Sequence, residues 1–187
     1  MSIPYNRNPQ DPQSLIPFDE ELLDQVTAAA RESPRKRSIV RFHEHEEAVQ
    51  RLLNAIEPES YMRPHMHPTK PETFVALRGR LLVARYTEDG ALLEGALVSA
   101  AGPVRGVEVP PGAWHSIISL EEGTVAFEAI LGPYDPATHK VFAAWAPPED
   151  DHEAGLAFMA QVRGQLEGLV PEVEAINRIQ AEDDEIC

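Results

Sequence analysis

Residues 65–79 read HMHPTKPETFVALRG, and residues 110–115 read PPGAWH. Residues i and i+2 of a strand point to the same face, so His65 and His67 present two imidazoles to one side. A four-residue turn then returns the chain so that Glu72, at the start of the next strand, lies beside them. The second stretch is a tight turn that leads into another strand carrying His115. Three nitrogens and one carboxylate can close around one divalent metal ion and leave room for water or a substrate.

Each half of this pattern has an ordinary structural explanation when it stands alone. A His-x-His pair is usually two surface histidines, and a lone histidine beside a tryptophan is commonly a satisfied core residue. The combination within strand-rich sequence favours a metal site over both explanations. We therefore predict one divalent transition metal ion per chain, Mn, Fe, Ni or Zn, held by His65, His67, Glu72 and His115.

The composition is that of a globular chain of 187 residues with a strong acidic excess. Hydrophobic residues make up 43% and charged residues 25%, which argues against global disorder. The formal charge of −15 makes nucleic acids and anionic membrane surfaces poor partners. No stretch approaches the roughly 20 apolar residues that span a bilayer, so we expect a cytoplasmic protein. The single cysteine, Cys187, has no internal partner for a disulfide.

Short apolar runs separated by turns predict an all-β core. Seventeen prolines argue against a long-helix bundle, and glycines 79, 90 and 123 suit the turns of antiparallel hairpins. Seven strand-sized runs indicate a sandwich or a barrel. The runs are Ile39–Phe42, Val49–Ile56, Thr73–Leu77, Leu81–Tyr86, Val107–Val109, Ser116–Leu120 and Thr124–Ile130.

Helices are predicted on both sides of this core. Asp19 caps an amphipathic helix that ends before Pro34, and helical spacing returns over residues 152–180 with an interruption at Pro171. We expect an N-terminal arm and helix over 1–37, a β-barrel over 38–148, and a helical segment with an acidic tail over 149–187. Residues 1–18 are expected to be irregular.

Strand parity also suggests residues for the wall of a pocket. Tyr61 and Arg63 share the odd register of the two ligand histidines, so we expect both to face the cavity as candidate catalytic residues. Arg63 reaching solvent at the rim is an equal alternative. Glu128 lies in an apolar run and must face the cavity or pair with a base such as Lys140; we favour a structural ion pair. Tyr134 and Lys140 are weaker candidates, and no ligand role is expected for His43, His45, His139 or His152.

The two metal-ligand segments resemble the paired motifs of the cupin superfamily. The first motif matches at His65, His67, Glu72 and Gly79, with Glu59 in place of its leading glycine. The second matches at Pro110, Gly112 and His115, with Val104 and Ser119 in place of its glycine and asparagine. The resemblance implies a double-stranded β-helix, or jelly-roll barrel, with the metal inside and often a homodimer.

A closer likeness is to the WbuC-type cupin fold metalloproteins. It lies in four segments, Val49–Asn54, Pro71–Phe74, Gly132–Tyr134 and Trp145–Pro147, together with the N-terminal helix. This resemblance implies a bacterial cytosolic protein associated with O-antigen or other surface-polysaccharide gene clusters. It does not imply a particular reaction.

Three functional hypotheses follow from the pattern and the resemblance. The first is a metalloenzyme, an isomerase, epimerase or oxygenase acting on a small sugar or sugar nucleotide. The second is a metal-assisted module that binds or senses a small molecule without turnover. The third, a purely structural metal, is the weakest because four protein ligands leave open positions on a six-coordinate ion.

Overall fold

The computed structural model describes residues 2–3 and 13–167, and two β-sheets form its core. These residues form eleven strands and two helices. The strands are β1 Ser2–Ile3, β2 Arg37–Arg41, β3 Val49–Ile56, β4 His65–Met66, β5 Glu72–Arg78, β6 Arg80–Tyr86, β7 Leu92–Ser99, β8 Gly106–Val109, β9 Trp114–Ser119, β10 Thr124–Leu131 and β11 Val141–Phe142, and the helices are α1 Glu20–Glu32 and α2 His152–Glu167.

Six strands form one sheet in the order β1-β2-β3-β10-β5-β8, and five form the other in the order β11-β4-β9-β6-β7. All neighbouring strands are antiparallel except β1, which runs parallel to β2. The predicted all-β core is confirmed in this arrangement of two antiparallel sheets with two helices.

All seven predicted runs lie in or overlap strands, but the sequence did not indicate β7. Its side chains are mostly half-buried or exposed, so the strand lacks the apolar alternation of a half-buried sheet. Gly95 lies within the strand, paired with Ala84, and a side chain there would collide with Leu166 of α2. β4 and β11 have only two residues each, too short for a periodic signal.

Helix α1 covers the face of the six-stranded sheet that points away from the five-stranded sheet. Asp19 Oδ1 accepts a hydrogen bond of 3.0 Å from the Leu22 amide, which caps the helix as predicted. The buried face of the helix, including Val26 and Ala30, packs against Val40, Leu53 and Val125 of the sheet.

Helix α2 covers the outer face of the five-stranded sheet. It begins at His152 and packs Met159, Val162 and Leu166 against side chains of β6 and β9, including Leu82 and Ile118. The predicted continuation of helix after Pro171 lies outside the described residues, as do most of the N-terminal arm and the acidic tail. Neither described helix has the length and apolar content required to span a membrane.

The space between the sheets is divided into an apolar half and a polar half. The apolar half contains Phe74, Leu81, Val98, Ile117 and neighbouring aliphatic side chains, all buried. The other half is an open cavity of about 420 Å³. The packed half therefore fixes the distance between the sheets and holds the cavity open beside it.

Two glycines with positive φ give a matched test of this packing. Gly79 (φ +70°) lies in the turn between β5 and β6, and a methyl group there would overlap Thr124, whereas Gly112 (φ +76°) has open space. Both Gly79→Ala and Gly112→Ala should lower the free energy of unfolding by about 1–2 kcal/mol, because a side chain is strained in the left-handed backbone conformation. Gly79→Ala should lose roughly a further 1–3 kcal/mol by overpacking. Urea unfolding in one buffer measures the difference, and equal losses would contradict the predicted overlap.

Candidate metal centre

The four predicted ligands meet between the two sheets. His65 and His115 are directly paired residues of β4 and β9, and their ring centroids are 4.5 Å apart. His67 follows β4 on the same face, while Glu72 begins β5 in the opposite sheet. The ligand atoms of all four residues lie within 4.8 Å of one another, and all four residues are buried. The spacing in the sequence thus becomes one cluster because the sheets face each other.

Each histidine uses its Nδ1 atom on a backbone carbonyl. His65 Nδ1 lies 3.1 Å from the Arg63 oxygen, and His115 Nδ1 lies 2.9 Å from the Ala113 oxygen. His67 Nδ1 lies 2.6 Å from the oxygen of His139. A carbonyl can only accept, so each Nδ1 carries the proton and each Nε2 presents a lone pair. Such outer contacts orient the histidines of metal sites.

The lone pairs converge on the Glu72 carboxylate. Glu72 Oε2 is 3.0 Å from His115 Nε2 and 3.2 Å from His67 Nε2. His67 Nε2 is buried and, despite this proximity, has no aligned hydrogen-bond partner among the described residues. Lone pairs that face a carboxylate need a proton or a metal ion between them. One divalent cation would satisfy all four groups at once.

The spacing also fits the size of a metal ion. Two ligand atoms that are each about 2.1 Å from an ion and subtend 90° are about 3.0 Å apart. The two distances from Glu72 Oε2 agree with this value. The His65, His67, Glu72 and His115 group could therefore bind a metal. Neither distances nor donor types select among Mn, Fe, Ni and Zn.

The electrostatics of the cluster favour a neutral His65 beside an ionised Glu72. Burial lowers the pKa of His65 well below its ordinary value, and the charges of Lys140 and His115 lower it further. Burial opposes ionisation of Glu72, but the close contacts with His115 and His67 outweigh burial and hold the Glu72 pKa well below its ordinary value. These are the protonation states in which a histidine and a glutamate bind metal.

Glu128 lies in the cavity wall near the ligands. It projects from β10, and its Oε2 accepts a 3.1 Å hydrogen bond from Asn54 Nδ2 on the neighbouring strand β3. Burial, reinforced by the charge of Glu72, raises the pKa of Glu128 to about 8. Among the described residues Glu128 forms no ion pair with Lys140, so the structural pair that we expected is absent. The carboxyl faces the cavity instead.

Tyr61 and Arg63 do not line the cavity. The Tyr61 hydroxyl donates a 2.8 Å hydrogen bond to the Pro147 carbonyl, and its ring packs in the core beneath α2. Arg63 donates to the Ala143 carbonyl from Nε at 3.0 Å and Nη2 at 2.7 Å. Strand parity fails for them because residues 57–64 are not in a strand. Their side chains therefore follow the local path of the loop rather than the register of His65.

Several cavity residues were not singled out from the sequence. His43, His45 and His139 line the cavity although we expected no ligand role for them, and the two weaker candidates, Tyr134 and Lys140, line it as well. His139 supplies the carbonyl that orients His67, and burial lowers the pKa of the His139 side chain to about 4. For Asn54 a signal existed, because Gln50, Leu52 and Asn54 alternate along β3 and place two polar groups on the inner face.

Comparison with family models gives a partial match. A family model described as a domain of unknown function, DUF6016, matches residues 18–98, which is less than half of the chain. No curated protein matches the chain.

Solved structures give the clearest similarity. CapF with the inhibitor 3-isopropenyl-tropolone is 22% identical with a TM-score of 0.51, over 59% of this chain and 32% of that chain. The capsular polysaccharide assembling protein CapF from Staphylococcus aureus is 22% identical with a TM-score of 0.49, over 56% of this chain and 29% of that chain. Oxalate oxidase with the substrate analogue glycolate is 19% identical with a TM-score of 0.45, over 60% of this chain and 57% of that chain.

These structural neighbours are cupins, and the likeness to the CapF structure with a TM-score of 0.51 agrees with a jelly roll built from the two sheets described above. The likeness concerns the fold. The chain spans about a third of the length of CapF.

Removing one ligand tests the centre directly. We expect elemental mass spectrometry to find one divalent ion per chain. Loss of an outer contact of a metal site typically weakens metal binding about tenfold to a hundredfold, and loss of a ligand costs more, so His115→Ala should weaken binding by at least this factor. His152→Ala is the matched control, since His152 is exposed at the start of α2. Equal metal affinity in both variants would contradict the assignment.

Proposed function

We propose that this chain is a metal-binding cupin that acts as a metalloenzyme on a small sugar or sugar nucleotide in surface-polysaccharide (O-antigen) metabolism. One observation carries the proposal: three buried imidazoles aim their Nε2 lone pairs at one carboxylate beside an open cavity. The cavity of about 420 Å³ falls in the range of small-molecule sites, roughly 300–1,000 Å³.

The cavity wall suits a ligand with several hydroxyl groups. Gln50, Asn54 and His43 provide polar groups along the wall. Asn54 Oδ1 is buried and has no hydrogen-bond partner among residues 2–3 and 13–167, so a ligand O–H donor would satisfy it. Tyr134 presents a partly exposed ring at the same cavity, which offers an apolar surface for a sugar face.

A bound divalent ion would supply Lewis-acid polarisation of a ligand oxygen. Glu128 is the residue that we assign to proton transfer, because its carboxyl lies in the cavity and Asn54 fixes one of its oxygens. Isomerisation, epimerisation and oxygen-dependent oxidation are all compatible with this residue set. Tyr61 and Arg63 were the other catalytic candidates, and their hydrogen bonds to backbone carbonyls give no support to that role.

The alternative function is a module that binds or senses a small molecule without turnover. The observation in its favour is that two of the three proton-transfer or clamping candidates from the sequence, Tyr61 and Arg63, lie away from the cavity. The WbuC-type assignment, the cytoplasmic location, the homodimer and the boundaries 1–37, 38–148 and 149–187 stay predictions of the sequence and its resemblance.

Ligand-dependent stability tests the metal-centred site. A sugar nucleotide at 100 times its Kd adds about 2.7 kcal/mol of stability, which for a chain of this size corresponds to a rise in melting temperature of about 5–10 °C. We expect such a rise for wild type in a panel of sugar nucleotides and its loss in His65→Ala and His115→Ala. Shifts of equal size in these variants and in His152→Ala would reject metal-centred binding.

Glu128→Gln separates the two candidate functions. The amide keeps the volume and the Asn54 contact but does not transfer a proton, so turnover of the sugar nucleotide that stabilises wild type should fall about 10²–10⁴-fold. Metal content should stay the same. Glu108→Gln, at an exposed position of β8, controls for loss of one acid. Product formation at equal rates in both variants would show that Glu128 takes no part in the reaction. If the wild-type chain forms no product with any sugar nucleotide of the panel, the binding module is favoured.

A further inference from the structure

A row of three side chains crosses the inner face of the six-stranded sheet. Arg41 of β2 is paired with Leu52 of β3, and Leu52 is paired with Glu128 of β10. Directly paired residues project to the same face, and all three line the cavity. Two strand spacings of about 4.8 Å separate the backbones of Arg41 and Glu128. Arg41 therefore lies on the same wall as Glu128, about 10 Å away along the sheet.

Arg41 differs from the other arginines of this region because its guanidinium has no hydrogen bond or ion pair to another described residue. Arg35 and Arg37 also line the cavity, but both pair with Glu149, at 2.6 and 3.0 Å. Arg63 is held by the Ala143 carbonyl. Arg41 is half-buried, and its guanidinium forms no hydrogen bond or ion pair within the described part of the chain. It is thus a positive charge at the cavity without a counter-ion among the described residues.

A second cation reaches the cavity from the other sheet. Lys140 precedes β11, lines the cavity, and holds its Nζ 5.3 Å from the centroid of the Phe142 ring. It forms no ion pair with the described residues. Of the acids that line the cavity, Glu72 faces the imidazoles, Glu149 is paired with arginines and Glu128 is bonded to Asn54. No acid is therefore committed to Arg41 or Lys140.

From this arrangement we infer that Arg41, with Lys140, forms an anion subsite for a phosphate or carboxylate group of the ligand. The planar fork of a guanidinium matches both groups through two parallel hydrogen bonds. A chain with a formal charge of −15 repels anions in general, so an anionic ligand needs local cations of this kind to enter. The inference rests on the proposed function for one point, that the opposite end of the ligand reaches the candidate metal centre.

Titration calorimetry on the full chain tests the subsite with three probes: inorganic phosphate, glucuronate and uncharged glucose. Wild type should bind phosphate, glucuronate or both. The anion that binds shows whether the subsite takes a phosphate group, a carboxylate group or either. Arg41→Gln should weaken that binding about tenfold to a hundredfold, the range for a charged hydrogen bond, while binding of glucose should change less than twofold. Lys140→Gln should weaken anion binding by a smaller factor.

Arg105→Gln is the matched control, because Arg105 lies exposed in the loop between β7 and β8 and its loss changes the net charge equally. Equal anion affinity in Arg41→Gln and Arg105→Gln, or no binding of either anion to wild type, would overturn the subsite. If Arg41→Gln does not fold, Arg41→Lys replaces it, and the loss of the fork should still weaken binding relative to the control.

Metal analysis of the same samples keeps this test separate from the proposed function. A chain that binds phosphate through Arg41 but holds no metal ion would contradict the proposed function and leave the subsite standing. A chain that holds one metal ion but binds anions independently of Arg41 would contradict the subsite and leave the proposed function standing.

Discussion

Three hydrogen bonds from imidazole Nδ1 atoms to backbone carbonyls are the contacts on which the candidate site depends. They fix the ring orientations, so the Nε2 lone pairs of His65, His67 and His115 all turn inward. Glu72 reaches these nitrogens only because the second sheet closes over the first. Burying four electron-rich groups together is unfavourable unless a cation is shared among them, and this need gives the cluster its affinity for a metal.

The rest of the fold makes this polar cluster tolerable. Helices α1 and α2 cover the outer faces of the two sheets, and an aliphatic core fills one half of the space between them. Burial of apolar surface in these three clusters is the main source of stability. The remaining half can then hold polar groups such as Glu128 and Asn54. The residues that stabilise the fold and the residues available to a ligand therefore lie in different halves of the space between the sheets.

Local pattern predicted the strands and the four clustered ligands, whereas tertiary placement decided the rest of the cavity. The seven apolar runs correspond to strands because alternation and turn glycines act over a few residues. Parity failed for Tyr61 and Arg63, since it holds only within a strand and theirs is a loop. Two strand pairings place Arg41 on the same sheet face as Glu128, and His139 contributes a backbone oxygen, so neither role is visible in the spacing of residues along the sequence.

The hydrogen bond from His67 to the His139 carbonyl also connects the candidate metal centre to the rim of the cavity. It joins a ligand to the connection between β10 and β11, which also brings Tyr134 and Lys140 to the cavity. The connection is thus tethered at its far end to the ring of a buried ligand. Rotation of the His67 imidazole would therefore break the hydrogen bond that holds this part of the cavity rim in place.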